Sequence, residues 1–357
     1  MNIVMLCRLY TPHIGGVEKH VEGISKEAVL EGNTADIFTL KHVDGLQSFE
    51  IKDGIRIHRT QDPLKTHWIP TSTGMTVQKI AERLFIWSWL LRHILTFIQA
   101  DRIHIHDVFF WYWPLRLLLP WKKVYITFHG FEAGTLPTTK AKKARLLATQ
   151  WTRGNIAVGG WIEKWYGTKA DFVTYGAGIC TYPPKYLDKS SKQEHLVDAV
   201  FLGRLSEDTG VCIYADVIST LRNYQLDIFG QGELKSEMRS IQKRTKNIRI
   251  CGSIEDSCTV FPNYDIACVS SYLSIIEAMQ SRTLVLAYAS DELKLDYLHS
   301  HPMAENMIIV KSPEELKKFL TDYKKHDYSS KVATAYTWAR EQTWKKVYLD
   351  YNNLWQT

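Results

Sequence analysis

An α/β protein of two doubly wound, parallel-sheet domains facing each other across a cleft is the fold class this sequence predicts. Three observations predict it. Short apolar runs alternate with helical-period segments along the whole chain. One polar, proline-bearing stretch, CTYPPKYLDKSSKQEHL, breaks that alternation near the middle. The length of 357 residues gives about two domains, each long enough to bury its own core.

The elements follow in order. NIVMLC is a strand, RLYTPHIGG a turn, and VEKHVEGISKEAVLEG a helix carrying Val17, Val21, Ile24 and Ala28 on one face and ending at Gly32. TADIFTL returns as a strand, which completes a βαβ unit and calls for a parallel sheet. IRIHRT, RIHIHD, KVYITFHG, NIAVGG and FVTYGAG are further strands, with WIEKWYG a helix between the last two. This gives a first domain over 1–180 and a linker over 181–197. The second alternation runs AVFLGRL (strand), VCIYADVISTL (helix), YQLDIFG (strand), ELKSEMRSIQKR (helix), then IRICG, DIACVSS and LVLAYA as strands, with SIIEAMQS a helix. The second domain is expected over 198–335.

Composition narrows the class. Apolar residues make up 45% and charged residues 23%, which excludes a disordered chain, a fibre and a small disulfide scaffold. Lys plus Arg is 44 against 38 for Asp plus Glu, a net charge of +6. That mild excess suits a phosphate-bearing ligand or an anionic membrane surface, and no nucleic-acid partner is expected. The opening MNIVMLCRLYTP is too short an apolar run for a signal peptide. No stretch reaches the ~18 apolar residues of a membrane span. The cysteines at 7, 180, 212, 251, 258 and 268 form no Cys-x-x-Cys pair. Reduced structural thiols and a cytoplasmic location, extending to the inner face of the membrane, are the expectation. Tryptophan clusters at 87 and 89 and again at 111, 113 and 121. Segments 84–98 and 109–121 read either as helices packed on a sheet or as a face dipping into a bilayer interface.

In open parallel sheets ligands bind outside the carboxyl ends of the strands, so residues just after strands are the candidates. Gly15 and Gly16 lie between the first strand and its helix, where bare backbone and a helix amino end offer an anion site for a diphosphate or, more plainly, a tight turn. His106, Asp107 and His129 end neighbouring strands and form a polar group; metal binding is not expected, because no supporting ligand spacing accompanies them. Arg204 ends a strand of the second half and brings a planar fork suited to phosphate oxygens. Gly230 and Gly232 allow close backbone approach at another strand end. Glu277, on the helix after DIACVSS, reads as a ribose-binding carboxylate or as a solvated helix residue. Lys140, Lys142, Lys143 and Arg145 form a basic run, either a solvated helix face or an acceptor-side patch.

Taken in this order and at these spacings, RLYTPHIGGVEKHV, ITFHG, VGGWIEKWYG with TYGAGI, VFLGRLSEDTG, DIFGQGE and IIEAMQS resemble the retaining, nucleotide-sugar-dependent glycosyltransferases of family 4 over nearly the whole chain. The resemblance implies the GT-B fold, two Rossmann-like domains with a C-terminal helix, 336–357, crossing back to the first. It implies transfer of a sugar from a nucleoside-diphosphate sugar to a glycan or lipid-linked acceptor hydroxyl with retention of configuration and without a metal or further cofactor. Gly15 and Gly16 would approach the donor diphosphate, His129 would contact the transferred sugar, Arg204 would bind phosphate, Gly230 and Gly232 would line the donor site, and Glu277 would bind ribose. His106, Asp107, Lys140 and Lys143 fall to the acceptor side.

The sequence departs from the family pattern at named positions. Ala177 replaces the usual Asn, and Thr209 stands where a donor-phosphate Lys is usual. Val269 stands where the first of two glutamates contacts the donor sugar, with Ser270, Ser271 and the cation Lys294 as replacements. These departures keep a catalytically impaired nucleotide-sugar-binding protein as an alternative. A nucleotide-sugar 2-epimerase on the same fold is another. A nicotinamide oxidoreductase is disfavoured, because no G-x-G-x-x-G follows the first strand of either half. No carboxylate pair of glycosidase type is present in the sequence pattern.

Overall fold

The computed structural model describes residues 1–62, 75–130, 136–180, 197–254 and 256–357, with the side chains of 75–77 outside the description. The expected linker therefore lies outside the described residues, except that Val197 already belongs to a strand.

The first domain is an eight-stranded sheet in the order β3 (Phe49–Lys52), β4 (Ile55–Gln61), β2 (Thr34–Lys41), β1 (Asn2–Leu6), β5 (Arg102–His106), β6 (Val124–Phe128), β7 (Gly154–Val158) and β8 (Phe172–Thr174). All pairings are parallel except that of β3 with β4. Helices cover both faces, which is why β6, VYITF, is buried at every position and its one hydroxyl residue on an aliphatic carbon, Thr127, is hydrogen-bonded inside. The antiparallel edge turns at Asp53 and Gly54, with φ of 53° and 75°. Asp-Gly is the pair such a turn requires, because both residues take left-handed backbone.

The second domain is six-stranded and parallel, in the order β11 (Ile248–Gly252), β10 (Tyr224–Phe229), β9 (Val197–Leu202), β12 (Ile266–Cys268), β13 (Leu284–Tyr288) and β14 (Ile308–Val310). Its order reverses between β9 and β12, as the first sheet's does between β1 and β5. Both reversals open crevices at the strand carboxyl ends, and the two domains turn these crevices toward each other. Aromatic contacts close one side of the domain junction. Tyr175 packs edge-on against Tyr272 at 5.0 Å, and Trp161 lies 5.8 Å from Tyr297.

The last helix, α13 (Trp344–Gln356), packs on α1 (Gly16–Leu30) in the first domain. Gly23 makes that crossing close, since a Cβ there would lie 2.3 Å from the Trp344 ring. Tyr351 and Trp355 are fully buried in the first domain's core. The expected boundary at 335/336 is corrected: it falls inside α12 (Ser329–Ala339), which packs on α9 (Tyr272–Gln280) of the second domain. The crossing is made at 340–343, where the Gln342 carbonyl accepts hydrogen bonds from Gly178 N and Gln280 Nε2, both at 3.3 Å.

The expectation of six reduced thiols is also corrected. Cys180 and Cys258 form a disulfide across 78 residues of sequence, joining the end of the first domain to a short turn at Ser257–Thr259 in the second. The partners meet only through tertiary structure, so no local spacing announces them. Cys7 and Cys268 are buried and unpaired.

The Trp-rich segments pack mainly as helices on the first sheet. Trp89 in α2 (Met75–Arg92) and Trp111 in α4 (Phe109–Leu118) are buried. Trp121, beyond α4, is exposed. No helix among the described residues is long and apolar enough to cross a membrane.

Candidate active site

A cleft of about 1790 Å³ runs between the domains. Of the residues marked out in the sequence, Gly15, Gly16, Asp107, His129, Lys140, Lys143, Arg204, Gly230, Gly232, Ser270, Ser271 and Lys294 line it. His106 and Glu277 do not.

The first-domain wall begins at α1. A Cβ on Gly16 would meet nothing within 4 Å, so the backbone there faces open cleft. Glu18, in the helix's first turn, folds back over Gly15 and bonds His13 Nδ1 at 2.8 Å. This places a carboxylate beside the helix end expected to meet a diphosphate. Deeper in the wall, Asp107 ends β5 with φ of 61°, an uncommon conformation for a non-glycine residue. That turn aims its carboxylate at the His129 N–H, 3.1 Å away. Burial raises its pKa, with Arg145 and that hydrogen bond opposing. Lys140 and Lys143, on α5 (Thr139–Gln150), stand exposed at the rim.

Beneath His129 lies a group of buried histidines. His106 is a correction to the acceptor-side assignment. It is 1% exposed, and its Nδ1 lies 2.8 Å from His129 Nε2. His20 and His104 are equally buried. Burial lowers the pKa of His20 and His104 to about 3 and holds His106 and His129 well below their ordinary value. The site therefore holds neutral imidazoles. The sequence reading passed over His20. Its signal was a polar residue four positions before Ile24, on the buried face of α1.

The second-domain wall is built from three strand ends. Gly230 and Gly232 follow β10 in a turn that admits no side chain. A Cβ would lie 1.9 Å from the Gly203 carbonyl oxygen at the first and 2.3 Å from the Leu205 carbonyl oxygen at the second. This packs the turn against the loop after β9 that carries Arg204. The Arg204 guanidinium is largely exposed and bonds Asp208 at 3.0 Å. Thr209, in the usual lysine position, spends its hydroxyl on the carbonyls of Arg204 and Ser206.

Lys294 supplies a second cation. It lies on α10 (Glu292–His299), is 5% exposed, and reaches over the Tyr297 ring to the Ser270 carbonyl at 2.7 Å. Burial lowers its pKa to about 8, against the opposing pull of Asp208 and Asp291. Ser271 is the N-cap of α9, so backbone N–H groups and the Lys294 ammonium converge on one stretch of wall. Val269, in place of the first glutamate, is buried in the core.

Glu277 corrects the ribose assignment. It is 1% exposed and points into the domain junction rather than the cleft. One carboxylate oxygen accepts from Ser257 Oγ at 2.7 Å, and the other lies 3.4 Å from Lys19 Nζ of the first domain. Among the described residues no cluster of three or more His, Cys, Asp or Glu is arranged to hold a metal.

Two family profiles cover the two halves. Residues 14–174 match Glycosyltransferase Family 4, and residues 197–322 match Glycosyl transferases group 1. The chain belongs to the family 4 glycosyltransferases. Solved structures share the GT-B fold along its full length. Sucrose-phosphate synthase from Thermosynechococcus elongatus superposes with a TM-score of 0.76 at 16% identity, covering 99% of this chain and 98% of its own. The catalytic domain of starch synthase IV from Arabidopsis thaliana, solved with ADP and acarbose, gives 0.68 at 15%, with 99% and 98% covered. The E. coli trehalose-6-phosphate structure solved with UDP-2-fluoro glucose gives 0.72 at 10%, with 100% and 99% covered. At such identities the likeness is one of fold. No curated protein sequence matches the chain.

Proposed function

We propose that this glycosyltransferase moves a sugar from a nucleoside-diphosphate sugar to an acceptor hydroxyl, with retention of anomeric configuration and without a metal, in the assembly of a glycan, polysaccharide or glycolipid. The observation that carries this reading is the convergence of Arg204, Lys294 and the α9 amino end on one wall of the cleft, opposite Gly16 and His129. As the sugar–oxygen bond breaks, negative charge grows on the departing diphosphate, and preorganised cations and N–H dipoles stabilise it. Lys294 takes the part that Thr209 leaves empty. Gly230 and Gly232 let the donor lie against backbone, and His129 holds the transferred sugar. Asp107, Lys140 and Lys143 face the acceptor. Two relatives in fold were solved with ADP or a UDP sugar, which supports a nucleotide donor here.

A thermal-shift screen of UDP-, GDP- and ADP-sugars tests the donor, because a ligand that binds the folded state raises its stability. NMR of the product's anomeric signal tests retention, and activity persisting in EDTA tests metal independence. Reaction of the nucleotide sugar alone, without acceptor, would instead favour an epimerase.

A peripheral membrane location is a second part of the reading. Leu84, Leu91, Leu95, Ile98, Leu117, Leu118 and Trp121 are exposed on the first domain, beside Arg92 and Lys123. Exposed apolar side chains with basic residues next to them in sequence suit the interface of an anionic bilayer. Failure to co-sediment with anionic liposomes at low salt would remove it.

A further inference from the structure

The C-terminal helix is joined to the cleft by a chain of side-chain hydrogen bonds whose direction is fixed at one end. Trp355 Nε1 lies 3.0 Å from His104 Nδ1. An indole N–H only donates, so His104 Nδ1 must be the accepting nitrogen, and the proton of this neutral ring sits on Nε2. His104 Nε2 lies 2.7 Å from Thr127 Oγ1, which therefore accepts. Thr127 Oγ1 is in turn 2.7 Å from the Tyr351 hydroxyl, and Tyr351 is 2.9 Å from His20 Nε2. All five side chains are at most 1% exposed. Only one direction gives both hydroxyl protons an acceptor within the chain: Thr127 donates to Tyr351, and Tyr351 donates to His20 Nε2, whereas the reverse would leave the buried Thr127 O–H without one. The proton of His20 is thereby placed on Nδ1.

A second, shorter chain gives His129 the same form. His106 Nδ1 faces His129 Nε2, while His106 Nε2 is buried without a partner. A buried N–H with no acceptor costs more than a buried lone pair with no donor, because unpaired acceptors are the better tolerated of the two. The His106 proton therefore sits on Nδ1 and is donated to His129 Nε2, which puts the His129 proton on Nδ1. The His20 and His129 rings meet edge to face, 4.8 Å apart, and both line the cleft.

We propose that Tyr351 and Trp355 of α13, acting through His104 and Thr127, together with His106 acting on His129, are positioning residues that lock His20 and His129 as neutral Nδ1–H donors at the sugar end of the cleft. The inference rests on the sugar-transfer reading for its ligand but not for its geometry. A sugar hydroxyl is met there by two uncharged N–H groups whose other nitrogens are already engaged. The chain that carries Lys294 and Arg204 thus keeps its cations on the diphosphate side and its neutral donors on the sugar side.

Long-range ¹H–¹⁵N spectra of the full-length protein with labelled histidine, at pH 7, decide the assignment without any variant. The expected pattern is His20 and His129 protonated on Nδ1, and His104 on Nε2. A wild-type His20 or His104 with the opposite tautomer overturns the proposal. In Tyr351→Phe, His20 Nε2 loses its donor, and its resonances should move to a mixture of tautomers. Thr127→Val cuts the chain one step earlier and should give the same result. The functional readout is the affinity gain of UDP-glucose, GDP-mannose and ADP-glucose over the matching bare diphosphates. That gain should fall about tenfold in Tyr351→Phe, while binding of the bare diphosphate stays unchanged. A variant that merely loosens the fold would weaken both together, and that result also counts against the proposal. If none of the three sugars binds better than its diphosphate while the tautomers are as assigned, the sugar-transfer reading fails and the lock stands.

Discussion

Lys19 of the first domain reaches Glu277 of the second at 3.4 Å, and the carboxylate it meets is almost wholly buried. The pair bridges the wall of the crevice, with Ser257 holding the other carboxylate oxygen. A residue expected to receive a ribose is engaged instead in holding the domains together. Removing the lysine leaves a buried charge with one remaining partner. Lys19→Met should cost about 2 kcal/mol of stability, the size of a hydrogen bond to a charged group. Urea unfolding measures this, and an unchanged midpoint would show that the pair contributes nothing.

Arg204 is exposed apart from its bond to Asp208, so its loss should spare the fold and strike the ligand. Arg204→Ala should weaken nucleoside-diphosphate binding by ~1.5–3 kcal/mol, as for a charged hydrogen bond. Calorimetry with an unaltered affinity would reject the assignment.

Lys294 gives diphosphate binding a pH dependence. Its pKa in the empty cleft is lowered to about 8. An anion favours the ammonium and raises that value, so binding above pH 8 should take up a proton, and affinity should fall as pH rises through 8. Burial and the nearby Arg204 lower the Lys294 pKa, and burial outweighs the opposing pull of Asp208 and Asp291. Calorimetry at pH 8.5 in buffers of different ionisation enthalpy reads the uptake directly. It should vanish in Lys294→Met, and its absence from the wild type would exclude the role.

The buried histidines set the acid limit of stability. His20, His104, His106, His129 and His301 all have pKa values lowered by burial, whereas in the unfolded chain each titrates near its ordinary value. Below roughly pH 6.5 the unfolded chain binds protons that the native state refuses. Stability present above that pH is therefore lost as pH falls toward 3, by up to ~1.4 kcal/mol per pH unit for each ring. Denaturant midpoints at pH 7.5 and 5 should differ clearly. Equal midpoints would mean that these rings are solvated.

The Cys180–Cys258 bond closes a loop across 78 residues of sequence. Its reduction should lower stability by about 4.5 kcal/mol through the entropy of closing that loop. Unfolding with and without a strong reductant tests this, and identical curves would indicate that the thiols are unpaired in solution.

Much of the fold was legible because helices cover both faces of each sheet, and such strands read as short apolar runs. The β3–β4 hairpin was equally legible, since Asp53–Gly54 between FEIK and IRIH is a strong local turn signal, yet it was passed over. Gly15, Gly16, Arg204, Gly230 and Gly232 were readable because strand ends define a crevice before any contact is known. Glu277 was misjudged for a physical reason: its helix position fixes which face it occupies, but not that Lys19 of the other domain waits there. Cys180 with Cys258 and Trp355 with His104 belong to the same class, being contacts across tens to hundreds of residues that no local pattern encodes.

The crossing of α13 has a consequence for biosynthesis. The first domain cannot be completed when its own segment leaves the ribosome, because Tyr351, Leu354 and Trp355 fill its interior and are translated after the whole second-domain sheet. Until they arrive, His104 Nδ1 and the Thr127 hydroxyl lack the partners that α13 supplies, and the groove beside α1 stays open. A chain truncated before Trp344 should therefore strand a half that was made first and finished last.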